Sequence, residues 1–315
     1  MSSCAVSIII VNYNAGNLLS RCMQSIEAQT FRDYEVIIVD NASTDGSLDY
    51  AEAFPGIRIV KNERNVGFAV AQNQGMRLAQ GQYIMPLNFD IHLEPDFLEN
   101  MVTALRGSDK IGWVCGKLMQ MAPDGTHTNR IYSTGHLLPP NRFPLHRGAG
   151  EEDTGQYDHP SEVFGSPGAA PLYKREMLSD IAFRGQYFDE SFFMWYEDVD
   201  LDWRARWRGW KCIYTPYAVV HHRGHPEGLG RNQKRVAVSI LNRWLMVAAN
   251  ECPHCLRRNW TDLGRSEVSL LRYVTLSGLL PAYLSAIRKF AALRPVVIEK
   301  RKYILARAGV PCPFQ

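Results

Sequence analysis

The sequence predicts an α/β fold, a mostly parallel, Rossmann-like sheet flanked by helices and followed by a C-terminal helical extension. Three observations predict it. Segment 6–11, VSIIIV, is an unbroken β-branched apolar run, the pattern of a strand buried on both faces of a parallel sheet. Apolar runs at 34–39, 57–61 and 81–87 then alternate with helical stretches, which is the order of successive βαβ units. From about 231 onward, helical periodicity takes over.

Taken in order, the first strand ends in Asn12-Tyr13-Asn14 and leads into a helix over 17–29; the second ends in Asp40-Asn41-Ala42-Ser43-Thr44-Asp45-Gly46. Ligands of parallel sheets bind at the carboxyl ends of the strands, so these two turns are the first candidate site. A dinucleotide-binding fingerprint is excluded, because the turn after strand one holds a single glycine. Asn65, Gly67 and Phe68 form a turn into a helix whose Ala69, Ala71 and Ala79 permit close packing on the sheet. The fourth strand ends in Asn88-Phe89-Asp90, placing a carboxylate where a metal or nucleotide binds. Asp96 starts the next helix. Stretch 119–168 is irregular and rich in glycine, proline, histidine and tyrosine, and so long an irregular stretch usually carries function. Gly165-Ser166-Pro167-Gly168-Ala169-Ala170 closes it with small residues that let a bulky substrate approach the backbone.

Glu197, Asp198, Asp200 and Asp202 then open a basic helix that stops at Gly209. The helix macrodipole accounts for Asp200 and Asp202. It does not account for Phe192, Phe193, Met194, Trp195 and Tyr196, a wall that desolvates the carboxylates beside it and so tunes a general base. A last strand over 211–220 runs into His221-His222-Arg223-Gly224-His225, a histidine cluster suited to metal ligation. Window 268–287 is the most apolar in the chain, but Arg272 and Pro281 interrupt it, so no spanning helix is expected. With Arg288, Lys289, Arg294, Lys300, Arg301 and Lys302 behind it, it fits a helix lying in a membrane interface; a core or homodimer-forming helix is the alternative.

Composition narrows the function classes. The 315 residues carry a net charge of +3 and no basic or acidic tail, so no nucleic-acid partner is expected. The start, MSSCAVSIII, has no basic segment before its apolar run, so a secretory signal is not expected. Seven widely spread cysteines predict free thiols in a reducing, cytoplasmic compartment. Cys252-Pro253-His254-Cys255 is the single CxxC, and zinc there would need distant ligands, so no metal is expected.

Several motifs in order resemble the inverting family 2 glycosyltransferases of the GT-A fold, and more closely their bacterial rhamnosyltransferase-like branch. They are Ser7 to Asn14 (SIIIVNYN), Val39 to Ser47 (VDNASTDGS), Asn65-Val66-Gly67-Phe68 with Asn73 and Gly75, Asn88-Phe89-Asp90, and Tyr196-Glu197-Asp198-Val199-Asp200-Leu201 with Arg204. The resemblance covers about 5–225. It implies a GT-A catalytic domain over 1–225, with a nucleotide-sugar half over about 1–118 and an acceptor half over about 119–225, and a helical region over 226–315. It implies that Val11, Tyr13, Asp40, Asp45, Gly67, Phe68, Asn73 and Asn88 bind the nucleotide sugar, and that Gly168, Ala169 and Trp195 face the acceptor. Asp198 would be the catalytic base, with Glu197 as the alternative. Asp90 with His221 or His222 would hold Mg2+ or Mn2+. The implied donor is a nucleoside-diphosphate sugar, dTDP-rhamnose first and UDP- or GDP-sugars as alternatives. The implied acceptor is a glycan or lipid-linked glycan in cell-surface polysaccharide synthesis, met on the inner face of the cytoplasmic membrane. The chain departs from the branch at Phe89, where Asn-Pro-Asp is common, and after the histidines, where Arg223-Gly224-His225-Pro226-Glu227 replaces glycines and a serine. A glycoside hydrolase would need its two carboxylates but no nucleotide pocket. A non-catalytic nucleotide-sugar-binding protein would need neither Asp90 nor the Glu197-Asp198 pair.

Overall fold

The computed structural model describes residues 4–54, 56–224 and 232–314. Its first half runs β1 (Val6–Asn12), α1 (Asn17–Glu27), β2 (Tyr34–Asp40), α2 (Asp49–Glu52), β3 (Arg58–Lys61), α3 (Phe68–Leu78) and β4 (Tyr83–Leu87). β1, buried along its whole length, pairs in parallel with β2 on one side and β4 on the other; β3 extends the sheet beyond β2. Ile8, Ile9 and Ile10 are solvent-free on both faces, as an all-apolar strand demands. α3 lies close on the sheet because Gly75 meets Ile9, where a Cβ would fall 2.4 Å from the Ile9 Cγ2.

The chain continues through β5 (Ile91–Leu93), α4 (Phe97–Leu105), β6 (Ile111–Met121), β7 (His127–Ser133), β8 (His136–Leu137), β9 (Leu145–His146), β10 (Ser161–Val163), β11 (Leu172–Lys174), α5 (Arg175–Ile181), α6 (Glu197–Trp207) and β12 (Lys211–His222). The main sheet has the order β10-β12-β6-β11-β4-β1-β2-β3, with β5 on β12 and β7 on β6. β11 lies antiparallel between β4 and β6, and β12 runs parallel to β6. The carboxyl ends of β1, β2, β4, β6 and β12 therefore share one side of the sheet, where the loops gather.

Three helices close the chain, α7 (Gln233–Asn250), α8 (Pro253–Leu276) and α9 (Leu280–Ala306). They share a second core with α6. Leu201 and Ala205 of α6 belong to the core around the sheet, whereas Val199, Trp203 and Trp207 pack with Ile240, Leu241, Met246 and Ala286. α6 is thus enclosed on both sides, and its polar residues must find partners inside the protein. The apolar window breaks at Gly278 (φ +70°) between α8 and α9. Among the described residues no helix is long and apolar enough to cross a membrane.

Candidate active site

The turns after β1 and β2 are cross-linked into one rigid cradle. Asn12 Nδ2 donates to Asp40 Oδ1 (2.8 Å), Ser43 Oγ (3.0 Å) and Ser47 Oγ (2.9 Å). Asp45 Oδ2 accepts from the Gly16 N–H at 2.7 Å, and hydrogen bonds from Ser47, then Gly16, hold its carboxyl below the usual range. Asp40 and Val11 are buried in the floor, while the Tyr13 ring is 47% exposed at the rim. Gly67 adopts φ +91° at the start of α3, and a Cβ there would fall 2.7 Å from the Phe193 carbonyl oxygen; the Phe68 N–H donates to that same oxygen at 2.7 Å. These contacts tie the start of α3 to the segment that precedes α6.

β12 delivers its histidines to opposite faces, as successive residues of a strand must. His222 Nε2 lies 3.3 Å from Asp90 Oδ1, both residues being buried. His221 points the other way: its Nε2 is 2.9 Å from Glu94 Oε1 and its ring stacks on His127 at 3.6 Å. Of the two histidines left open by the sequence, the one beside Asp90 is His222, while His221 lies with Glu94 and His127. His225 lies outside the described residues. A cavity of about 370 Å³ adjoins Asp90, lined also by Arg21, His92, His127 and Arg223.

Asp198, at the first turn of α6, keeps a side chain 17% exposed, and its Oδ2 accepts from the Gly168 N–H at 2.8 Å. Asn88 N–H donates to the Ala169 carbonyl at 2.9 Å, so the end of β4 and the small-residue loop are joined by backbone. Behind Asp198 stands His136, its Nε2 3.8 Å from Asp198 Oδ2 and its Nδ1 3.0 Å from Asp202 Oδ2. Burial raises the Asp202 carboxyl to about 7 against the bond from His136; for His136, burial opposes protonation and the Asp202 bond and Asp198 charge outweigh it, leaving the imidazole raised. Tyr132 fills the space between the two carboxylate sites. Its ring meets His222 edge-on at 4.4 Å, and burial, then the charges of Asp90 and Asp198, push its phenol up to about 12. His146 sits beside Tyr132 and His136, with burial and the His136 charge pushing it down to about 4.

Several expected residues have other tasks. Asn73 is fully buried and saturated by the Phe188 backbone and Glu190, so it clamps the 188–190 segment instead of facing a ligand. Glu197 is buried with Oε2 unpartnered among the described residues; burial, then the Asp198 charge, hold its carboxyl well above the usual range. Asp200 and Asp202 also have partners inside the protein: Asp200 bonds Arg204, Lys300 and Asn250, and Asp202 bonds His136. Trp195 and Tyr196 both adopt left-handed backbone (φ +69° and +68°), a strained pair held by Asn242, whose Nδ2 donates to the Met194 and Trp195 carbonyls. Sequence reasoning does not single out His136, His146, Tyr132 or Asn242. The first three lie in the irregular stretch, whose histidine and tyrosine content is the available signal.

The glycosyl transferase family 2 model matches residues 7–181, more than half of the chain. The chain belongs to glycosyl transferase family 2. A glycosyltransferase, YibD of Escherichia coli, is 33% identical over 149 residues, covering 43% of this chain and 42% of that one, so the match spans less than half of that relative. An N-acetylglucosaminyl-diphospho-decaprenol L-rhamnosyltransferase of Mycobacterium tuberculosis is 27% identical over 250 residues, 70% of this chain and 77% of that one. Among solved structures, a mannosyltransferase of Pyrobaculum calidifontis in complex with GDP-Man and Mn2+ superposes with a TM-score of 0.56 at 17% identity, covering 98% of this chain and 86% of that one. This glycosyltransferase has the GT-A fold.

Proposed function

We propose that the chain transfers a sugar, with inversion, from a nucleoside-diphosphate sugar to a hydroxyl of a glycan or lipid-linked glycan. The observation that carries this reading is the placement of Asp198, partly exposed and oriented by the Gly168 N–H, across Tyr132 from Asp90 and His222. The acceptor oxygen attacks the anomeric carbon as the bond to the diphosphate breaks, and Asp198 takes the acceptor's proton. The cradle formed by the turns after β1 and β2, with Asn12, Asp40 and Asp45 as its fixed frame and Tyr13 at its rim, binds the nucleotide. That frame is rigid before any ligand arrives, which lowers the ordering cost of binding. A divalent cation, when bound, neutralises the charge that builds on the departing diphosphate. A carboxylate oxygen and an imidazole nitrogen converging at 3.3 Å suit Mn2+ or Mg2+, so Asp90 and His222 would hold it.

The mycobacterial relative supports a rhamnosyl donor; dTDP-rhamnose heads a donor panel, with UDP- and GDP-sugars as its other members. The exposed face of α8 and α9, with Val268, Leu271, Leu276, Leu284 and Ile287 beside Arg272, Arg288 and Lys289, supports an acceptor met at a membrane surface. The test is Asp198→Asn. Turnover should fall by about two orders of magnitude or more while affinity for the nucleotide sugar holds, since the base faces the acceptor. Near-normal turnover would remove Asp198 from the chemistry.

A further inference from the structure

The C-terminal end of the chain brings a third cysteine to the lone CxxC. Cys252 caps α8, Cys255 lies in its first turn, and Cys312 arrives from beyond α9. All three are buried, at 2%, 4% and 5% exposure. Their sulfurs lie within 4.8 Å of one another, with Cys312 Sγ 3.8 Å from Cys252 Sγ and 3.3 Å from Cys255 Sγ. A disulfide needs about 2.05 Å and uses only two sulfurs. A tetrahedral zinc with Zn–S bonds of about 2.3 Å separates its sulfurs by about 3.8 Å. We propose that Cys252, Cys255 and Cys312 bind a structural zinc ion that fastens the end of the chain to the start of α8.

The Cys255 N–H donates to Cys252 Sγ at 2.9 Å, and the sulfur sits at the positive end of a long helix. Three thiolates this close together need a cation among them. On binding, each thiol gives its proton to solvent and its sulfur lone pair to the metal. His254 is exposed and outside the sulfur group, so the three sulfurs leave one of the four tetrahedral positions to a further ligand. The segment so fastened is tied to α6: the Pro313 carbonyl accepts from Arg206 Nε at 2.9 Å, Phe314 stacks on Phe164 and meets Trp203 edge-on, and Arg142 lies 4.2 Å over the Phe314 ring. The metal thereby braces the helix that carries Asp198, at a place separate from Asp90 and His222.

The experiment uses the full chain, purified without chelator. Elemental analysis should find about one zinc per chain. C255S and C312S should each lose it, whereas D90A should keep it. Should either serine variant fail to fold, cobalt exchanged into the unsubstituted chain decides. A tetrahedral cobalt–thiolate centre gives sulfur-to-metal charge-transfer bands in the near ultraviolet, which an oxygen and imidazole site does not. Zinc well below one per chain, zinc unchanged in C255S and C312S, cobalt without those bands, or an intact mass lower by two hydrogens, marking a disulfide, would each overturn the proposal.

Discussion

At the scale of residues, adjacent carboxylates in one motif are separated by burial. Glu197 points into the protein, where burial raises its carboxyl above the usual range, and Asp198 remains partly open with the Gly168 N–H on its oxygen. Glu197→Gln, which mimics the neutral acid, should leave turnover within about threefold of the unsubstituted enzyme, in contrast to Asp198→Asn. A loss comparable to that of Asp198→Asn, measured in steady-state kinetics, would reverse the assignment. His136 contacts both Asp198 and Asp202, which would let it position the proposed base. His136→Gln should lower kcat about tenfold or more with the donor KM unchanged, and should displace the pH profile of kcat. A proportional loss at every pH, together with a lower melting temperature, would mark it as merely structural. The Glu197-Asp198 motif was legible in the sequence. Which of the two is buried was not, because that depends on a left-handed turn at Trp195 and Tyr196 that no local pattern announces.

At the scale of elements, the apolar strands β1, β2 and β4 were legible because a strand buried on both faces writes a continuous apolar run. β8 to β10 were not, since each has two or three residues and owes its existence to distant partners, as Ser161 does to Tyr214. β12 shows what pairing adds. The sequence places both histidines at its end, and only the alternation of the strand against β5 and β6 sends His222 to Asp90 and His221 to Glu94. His222→Ala should therefore abolish Mn2+-dependent binding of a nucleoside diphosphate in a calorimetric titration, and His221→Ala should retain it. The reverse order would move the cation to the Glu94, His127 and His221 group. The window over α8 and α9 resolves into a buried row, Val274, Leu279, Ala282 and Ala286, and an exposed row that includes Leu276 and Leu284. Anionic vesicles should pull the chain down at low salt and release it at high salt, each surface cation contributing on the order of 1 kcal/mol. Failure to co-sediment leaves the exposed row for a second protein surface.

At the scale of the whole molecule, a buried charge network joins the two cores. Lys300, read from the sequence as one of several surface cations, is 1% exposed inside α9. Its Nζ donates to Asp189 at 2.6 Å and to both oxygens of Asp200 at 2.7 and 2.8 Å; Arg204 and Asn250 complete the shell of Asp200. The sequence could not disclose this, because the carboxylates lie 111 and 100 residues away and the spacing around Lys300 is that of an ordinary basic helix. The network fixes α6, and hence Asp198, against α7 and α9. Lys300→Met would leave two buried carboxylates short of a counter-charge, and removing one partner of such a group costs about 3–5 kcal/mol. Chemical denaturation of the variant at neutral pH should show a loss of that size. The same network sets a pH dependence. Burial pushes the Asp189 carboxyl up, but the Lys300 charge and hydrogen bond, with Ser191, overcome it and hold it at about 2. An ordinary aspartate titrates near 3.9 in the unfolded chain, so the depressed value contributes about 2 kcal/mol above that pH, lost as pH falls through about 2. Asp189→Asn should be less stable than the unsubstituted chain at pH 7, and the difference should shrink as the pH is lowered from 5 toward 2. A difference that stays constant over that range would show that Asp189 contributes through packing alone.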